Sequence, residues 1–341
     1  MEIKRAMLAR TGAHCQTLSW KRELAAAYRD PRQLLSHLGL DEGLFATALA
    51  AGRGFPMLVP RCYAALMEPG NPDDPLLRQV LPTAEELIPT PGFSADPVGD
   101  QPARRGMGML QKYRGRVLLI VTGACPIHCR YCFRRHYPYR GGTTAGDAGS
   151  EAWDLVRRDE TIEEVILSGG DPLTLDDGAL AAIIGRIAAI THVRRIRIHT
   201  RLPIVLPSRV TPELSRLLAG TRLQVVVVVH ANHPRELGTA ASGALRCIAS
   251  GGITLLNQSV LLRGVNDRPR ILCELSEALF ANGALPYYLH LLDRVQGAAH
   301  FEVAPARASR IARALRARLP GYLVPRIVRE EAGLAYKAPV C

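Results

Sequence analysis

The sequence predicts an α/β protein built on a partial, six-stranded (β/α)6 barrel, preceded by a helical region and followed by a short C-terminal segment. Two observations carry this. Six short apolar runs, at 117–122, 164–168, 195–200, 223–230, 253–259 and 285–291, alternate with stretches of helical period such as 178–190, 212–219, 240–249 and 271–281. Polar clusters then follow the runs: Ser168-Gly-Gly-Asp171, His199-Thr-Arg201, His230-Ala-Asn-His233, Asn257-Gln258 and His290 to Asp293. Alternating units of this kind pack as parallel strands with right-handed crossovers, and such barrels collect their active residues at the C-terminal strand ends.

Taken in order, residues 1–105 read as short helices (20–28, 31–38, 41–51, 61–67) and then a loop rich in Pro and Gly over 69–102. Residues 106–320 form the barrel. Its last helix, over 307–318, sets Arg against Ile311, Leu315 and Leu319 at i, i+4, i+8, an apolar stripe with a solvated face. Residues 321–341 are the C-terminal segment, in which an extended piece, 322–328, leads to Lys337.

At 341 residues the chain is long enough for one large domain with an appendage. The first ten residues lack the apolar stretch of a signal peptide and no run approaches a membrane span, so a cytoplasmic location without membrane association is expected. The net charge of +12 is compatible with an acidic partner, but Arg is spread along the chain, which favours solubility or weak steering of an acidic protein over nucleic-acid binding.

Cys125-x-x-x-Cys129-x-x-Cys132 lies just past the first apolar run. Three thiolates on one loop can hold three irons of a [4Fe–4S] cluster and leave the fourth iron open. A Cys3His zinc site with His128 or His136, or buried core cysteines, are the alternatives; zinc sites usually show two separated ligand pairs. Cys15, Cys62, Cys247, Cys273 and Cys341 are scattered without pair spacing, which argues against a disulfide framework.

The cations are 39 Arg and 4 Lys, namely Lys4, Lys21, Lys112 and Lys337. Arg stays protonated, whereas a Lys amine can be deprotonated and attack a carbonyl. Lys337 therefore stands out as a nucleophile, against the alternative of a solvated tail lysine. In Ser168-Gly-Gly-Asp171 two glycines permit close backbone approach and the acid can accept from an ammonium, although Gly-Gly-Asp is also an ordinary turn.

The cysteine spacing, with Phe133 beside the last Cys, resembles the radical S-adenosylmethionine (SAM) enzymes. Gln111-Lys-Tyr-Arg-Gly-Arg116, Arg134-Arg135, Ser168-Gly-Gly-Asp-Pro-Leu, Arg201-Leu-Pro-Ile-Val-Leu-Pro, Leu256-Asn-Gln-Ser-Val-Leu-Leu-Arg-Gly-Val-Asn-Asp267 and the late Lys337 together resemble the lysine 2,3-aminomutase family over most of residues 60–340. Gly70-Asn-Pro-Asp-Asp-Pro-Leu and Tyr287-Tyr-Leu-His-Leu-Leu-Asp293 are similar to its short bacterial branch, which makes (R)-β-lysine for modifying elongation factor P.

The resemblance implies a radical SAM barrel and an isomerase that moves the amino group of L-α-lysine to the β-carbon. Its cofactors would be the [4Fe–4S] cluster on Cys125, Cys129 and Cys132, SAM, and pyridoxal 5′-phosphate (PLP). It implies that Ser168, Gly169, Gly170, Asp171, His230 and Gln258 bind SAM, and that Lys337 holds PLP covalently with Lys112, Tyr113 and Arg116 around it. Arg134 would pair with the substrate carboxylate, and Asp293 and Glu330 with the distal ammonium. Guanidinium and acids together describe a pocket for a dibasic amino acid. Implied partners are a reductase as electron donor and the ligase that attaches β-lysine to elongation factor P. Glu330 stands where the longer enzymes have Asp, and Cys341 where they continue into a zinc-binding tail; length selectivity and oligomeric state are left open. The rival classes are a radical SAM enzyme acting on RNA or another amino acid, and a zinc-binding interaction module.

Overall fold

Parallel strands buried on both faces need β-branched, near-continuous apolar sequence, and the run Gln224-Val-Val-Val-Val-Val229 is such a strand at the centre of the sheet. The computed structural model describes residues 19–41, 43–139, 143–144 and 150–340; Lys4, Cys15, Cys341 and the N-terminal ten residues lie outside them. Among the described residues ten strands form one sheet in sequence order. They are β1 (Arg104–Gly106), β2 (Met109–Leu110), β3 (Arg116–Thr122), β4 (Glu164–Gly169), β5 (Arg195–Thr200), β6 (Gln224–Val229), β7 (Thr254–Leu261), β8 (Leu285–Leu291), β9 (Arg326–Arg329) and β10 (Ala338–Pro339).

Strands β3 to β9 pair in parallel, so the six expected strands gain a seventh. The piece expected to be extended over 322–328 is a helical turn, Gly321–Leu323, followed by β9. The hairpin β1–β2 adds antiparallel to β3, and β10 adds antiparallel to β9. The sheet order runs from β1 to β10, that of an open, partial barrel.

Local chemistry sets the helix ends. Asp176 accepts from the backbone N–H of Ala179 to start the helix Asp177–Ala188, and Thr211 accepts from Leu214 to start Pro212–Ala219. Helix Pro305–Arg316 buries Ala308, Ile311, Ala312 and Leu315, the stripe expected from its spacing. The largest buried cluster joins Trp20, Leu34, Tyr63 and Leu77 of the N-terminal region to Leu119, Leu167, Ile198 and Val227 of the barrel strands. Helical residues 19–25, Pro31–His37 and Arg61–Ala64 thus pack into the barrel core. Among the described residues no helix is long and apolar enough to cross a membrane.

Candidate active site

The seven parallel strands point their C-terminal ends at one cavity of about 1130 Å³, and every candidate site residue of the sequence lines it. The cavity begins at the cysteine loop, which leaves β3 after Thr122 and is fastened from the N-terminal region. His128 and Arg130 donate their backbone N–H groups to Leu58 and Gln79 at 3.0 and 2.8 Å. The fully buried Arg130 guanidinium makes two bonds to Glu86, at 2.8 and 2.6 Å, and Arg135 donates to the same carboxylate at 2.6 Å.

Cys125, Cys129 and Cys132 are free thiols facing this cavity. Burial and the nearness of Cys132 hold the Cys125 thiol up, and burial with Cys129 beside it pushes Cys132 to about 11. Metal binding relieves such crowding by taking the thiolates as ligands. Among the described residues no three His, Cys, Asp or Glu side chains are set to hold a single ion. Three crowded thiols on one loop fit a cluster, whose irons are spread among its ligands.

The two glycines after β4 serve this loop. A Cβ on Gly169, at φ +126°, would lie 2.3 Å from the Thr122 carbonyl oxygen, and one on Gly170 would lie 2.1 Å from that of Ala124. The close approach is thus between two backbone segments, with Gly170 and Asp171 donating N–H to Thr122 and Ala124 at 2.8 Å. Asp171 is buried and accepts from Thr200 Oγ1 (2.7 Å) and the backbone of Leu173, Arg201 and Leu202 (3.0, 2.7 and 3.1 Å). The sequence offered this acid to an ammonium; in the fold its acceptor positions go to the protein's own donors, tying β4 to β5.

Beyond the glycines the lining turns to imidazole. His230 and His199 approach at 3.3 Å between ring nitrogens. Burial, with Arg201 nearby, holds His230 down to about 4, and burial first also holds His199 and His290 well below the ordinary histidine range. Neutral rings beside Gln258 suit a ligand that is partly apolar and partly polar, as SAM is.

A chain of alternating charge crosses the cavity. Arg134 donates through Nε to Asp100 at 2.7 Å and through Nη1 to Ser168 Oγ at 3.0 Å. Lys112 Nζ sits 2.7 Å from Asp100, donates to the Val98 carbonyl at 2.8 Å and lies 3.7 Å from Glu330. Glu330 accepts from Tyr113 Oη at 2.7 Å and pairs with Lys337. Burial opposes ionisation of Asp100 and Glu330, but Arg134 with Lys112, and Lys337, outweigh it and hold both acids below the ordinary carboxylate range. The Glu330–Lys337 contact follows from register, since Ala338 pairs antiparallel with Arg329 and residues 337 and 330 are the next facing pair.

Asp293 Oδ1 and Arg116 Nε are among the atoms buried here without a hydrogen-bond partner. The Arg116 guanidinium stacks 4.5 Å over the Tyr113 ring, near Lys112. An open cation, a phenol and a lysine amine in one wall fit a phosphate-bearing carbonyl compound such as PLP. Asp293 has the opposite need, a cation. Burial, which Lys337 opposes and Glu330 reinforces, raises its carboxyl from 3.8 to about 7.

That shift has a stability consequence. Between those two values the native state keeps a proton that the unfolded chain has lost, so stability falls as pH rises through the window. Asp293→Asn is expected to raise the melting temperature of the ligand-free protein at pH 8, with a smaller gain at pH 5, in thermal melts of both proteins. An equal gain at both pH values would refute the shift.

Sequence reasoning missed Asp100 and assigned no role to Arg201, His199 or His290. Asp100 lies in a loop with no periodicity to mark it, and no signal in the chain could have paired it with Arg134. Arg201 directly follows the strand Arg195–Thr200, which is a usable sign.

The Radical SAM superfamily profile matches residues 119–239. The chain is 46% identical over 315 residues to L-lysine 2,3-aminomutase of Haemophilus influenzae, covering 92% of this chain and 93% of that one. It is 44% identical over 335 residues to L-lysine 2,3-aminomutase of Escherichia coli, covering 96% and 98%. It is also 35% identical over 285 residues to that of Clostridium subterminale, covering 83% of this chain and 68% of the longer relative.

Proposed function

Because the chain belongs to the lysine 2,3-aminomutase family of radical SAM enzymes, we propose that it converts L-α-lysine to (R)-β-lysine by a PLP-dependent 1,2-amino migration. A reductase would supply the electron, and a ligase would attach the product to elongation factor P in the cytoplasm, where thiolates stay reduced. The observation that carries the substrate assignment is the acid pair: Asp293 is half-buried with a buried, unpartnered oxygen, and Glu330 already receives a lysine ammonium, that of Lys337.

When bound, the cluster with SAM supplies radical hydrogen abstraction and PLP supplies an electron sink. The chain's own residues do the rest. Cys125, Cys129 and Cys132 hold the irons, and the turn Ser168 to Asp171 with His230 and Gln258 lines the SAM position. Lys337 offers the amine that holds PLP, Arg116 its unpartnered guanidinium edge to the phosphate, and Lys112 and Tyr113 flank it. Arg134, fixed through Nε by Asp100 and through Nη1 by Ser168, turns Nη2 to the substrate carboxylate, while Asp293 and Glu330 take the distal ammonium. Neutral histidines in the lining exchange no protons near neutral pH, and the buried walls keep water from reactive species.

The test is incubation of the anaerobically reconstituted protein with lysine, SAM and PLP under reduction, with identification of the amino acid formed; absence of a β-amino product would sink the reading. Norleucine, which keeps the carboxylate and the chain but lacks the distal amine, is the companion substrate. Loss of one partner of a desolvated charge pair costs about 2–5 kcal/mol, so Asp293→Asn is expected to weaken lysine use by at least about tenfold and to narrow the preference over norleucine. Equal turnover of the two by wild type would remove the acids from substrate recognition.

A further inference from the structure

We propose that Arg201 raises the reduction potential of the cluster by donating to Cys129, and that Glu236 moderates the effect; this rests on the reading that the three cysteines hold the irons. Arg201 is buried and donates through Nη1 to Cys129 Sγ at 2.6 Å. Its other terminal nitrogen donates to Glu236 at 2.6 Å and Gln79 at 2.8 Å, and its backbone N–H to Asp171 at 2.7 Å. The guanidinium is therefore anchored on both sides and cannot swing away from the sulfur. Glu236 is equally committed, accepting also from Tyr63 Oη at 2.8 Å and from the backbone of Asn232 and His233 at 2.5 and 2.9 Å.

Reduction of the cluster adds one electron to the irons and their thiolates, with no bond made or broken. In the cell a one-electron reductase provides that electron; in the test dithionite does. A cation fixed at a ligand sulfur in a dry site stabilises the more negative, reduced form over the oxidised one, and hydrogen bonds to the sulfurs are among the groups that set such potentials. Arg201 is thus a positioning residue for the electron, since it touches a cluster ligand and lies outside the substrate contacts argued above.

The experiment is a redox titration of the reconstituted full chain without SAM, followed by electron paramagnetic resonance and paired with iron and sulfide analysis. Arg201→Gln is expected to lower the ratio of reduced to oxidised cluster at a fixed potential by about tenfold, equivalent to about 59 mV for a one-electron couple. Arg201→Lys should recover part of that loss, and Glu236→Gln, which strips the counter-charge from Arg201, should move the ratio the other way. An Arg201→Gln protein with full iron and sulfide that titrates like wild type overturns the proposal. If that variant does not retain its cluster, Glu236→Gln decides, and an unchanged or lowered potential there overturns it. A wild-type chain that takes up no iron and sulfide overturns the cluster reading along with it, an outcome the analysis tells apart from an unshifted titration.

Discussion

Cys125→Ala, Cys129→Ala and Cys132→Ala are each expected to lose iron and sulfide and, with them, all reductive SAM cleavage. A cluster that exposes one iron for chemistry has no spare protein ligand, so removing any thiolate leaves two irons open and the assembly labile. The fold should survive, because the loop is pinned by Arg130 and Arg135 on Glu86 and by backbone bonds to Leu58 and Gln79, none of which involves sulfur. Cys62→Ala and Cys247→Ala are the controls. Cys62 donates to the Val205 carbonyl at 3.2 Å, outside the cavity, and Cys247 lies on the helix Thr239–Ser250. Iron and sulfide analysis with a SAM-cleavage assay under dithionite checks the set; normal iron in all three loop variants would overturn the cluster assignment.

Lys337→Arg is expected to fold, to keep its pairing with Glu330 and to lose covalently held PLP altogether, taking aminomutase turnover to background. Guanidinium is too basic to present a free amine to a carbonyl carbon. The cavity contains one other lysine, and its surroundings argue for Lys337. Lys112 Nζ is held by Val98 and Asp100 with Glu330 beyond, contacts that commit it to the protein's own acceptors. Lys337 sits on the short return between β9 and β10, 6.0 Å from the centre of the Tyr288 ring. Borohydride reduction followed by peptide mapping reads the result directly. PLP fixed on Lys112 would show that the other lysine carries it.

The barrel strands were legible because each carries its buried apolar residues in a near-continuous run, as in Gln224–Val229, or in strict alternation, as in Arg195–Thr200. Strands β1, β2 and β10 were not, since strands of two or three residues are too short for an alternation to register. The seventh parallel strand was seen as an extended piece but not as a member of the sheet, a matter of pairing with β8 that no local pattern records. At the site, the cysteine spacing and the scarcity of lysine pointed to Cys125, Cys129, Cys132 and Lys337 because each rests on covalent or coordination chemistry that few residue types can perform. Asp293 and Glu330 needed the family likeness, for an isolated carboxylate in sequence looks like any solvated one.

By itself, then, the chain determined its repeat architecture, its thiolate loop and its candidate nucleophile, all encoded in periodicity, spacing or side-chain chemistry local to a few residues. Only the tertiary structure decided partners. It placed Asp100 between Arg134 and Lys112, turned Asp171 inward as a staple between β4 and β5, brought Glu330 opposite Lys337 through the β9–β10 register, and set Arg201 on Cys129 across 72 residues of chain. The reason is physical. A buried charge is tolerated only where an opposite charge or donor meets it, and which one meets it depends on distances between segments remote in sequence, fixed when the strands pair into one sheet.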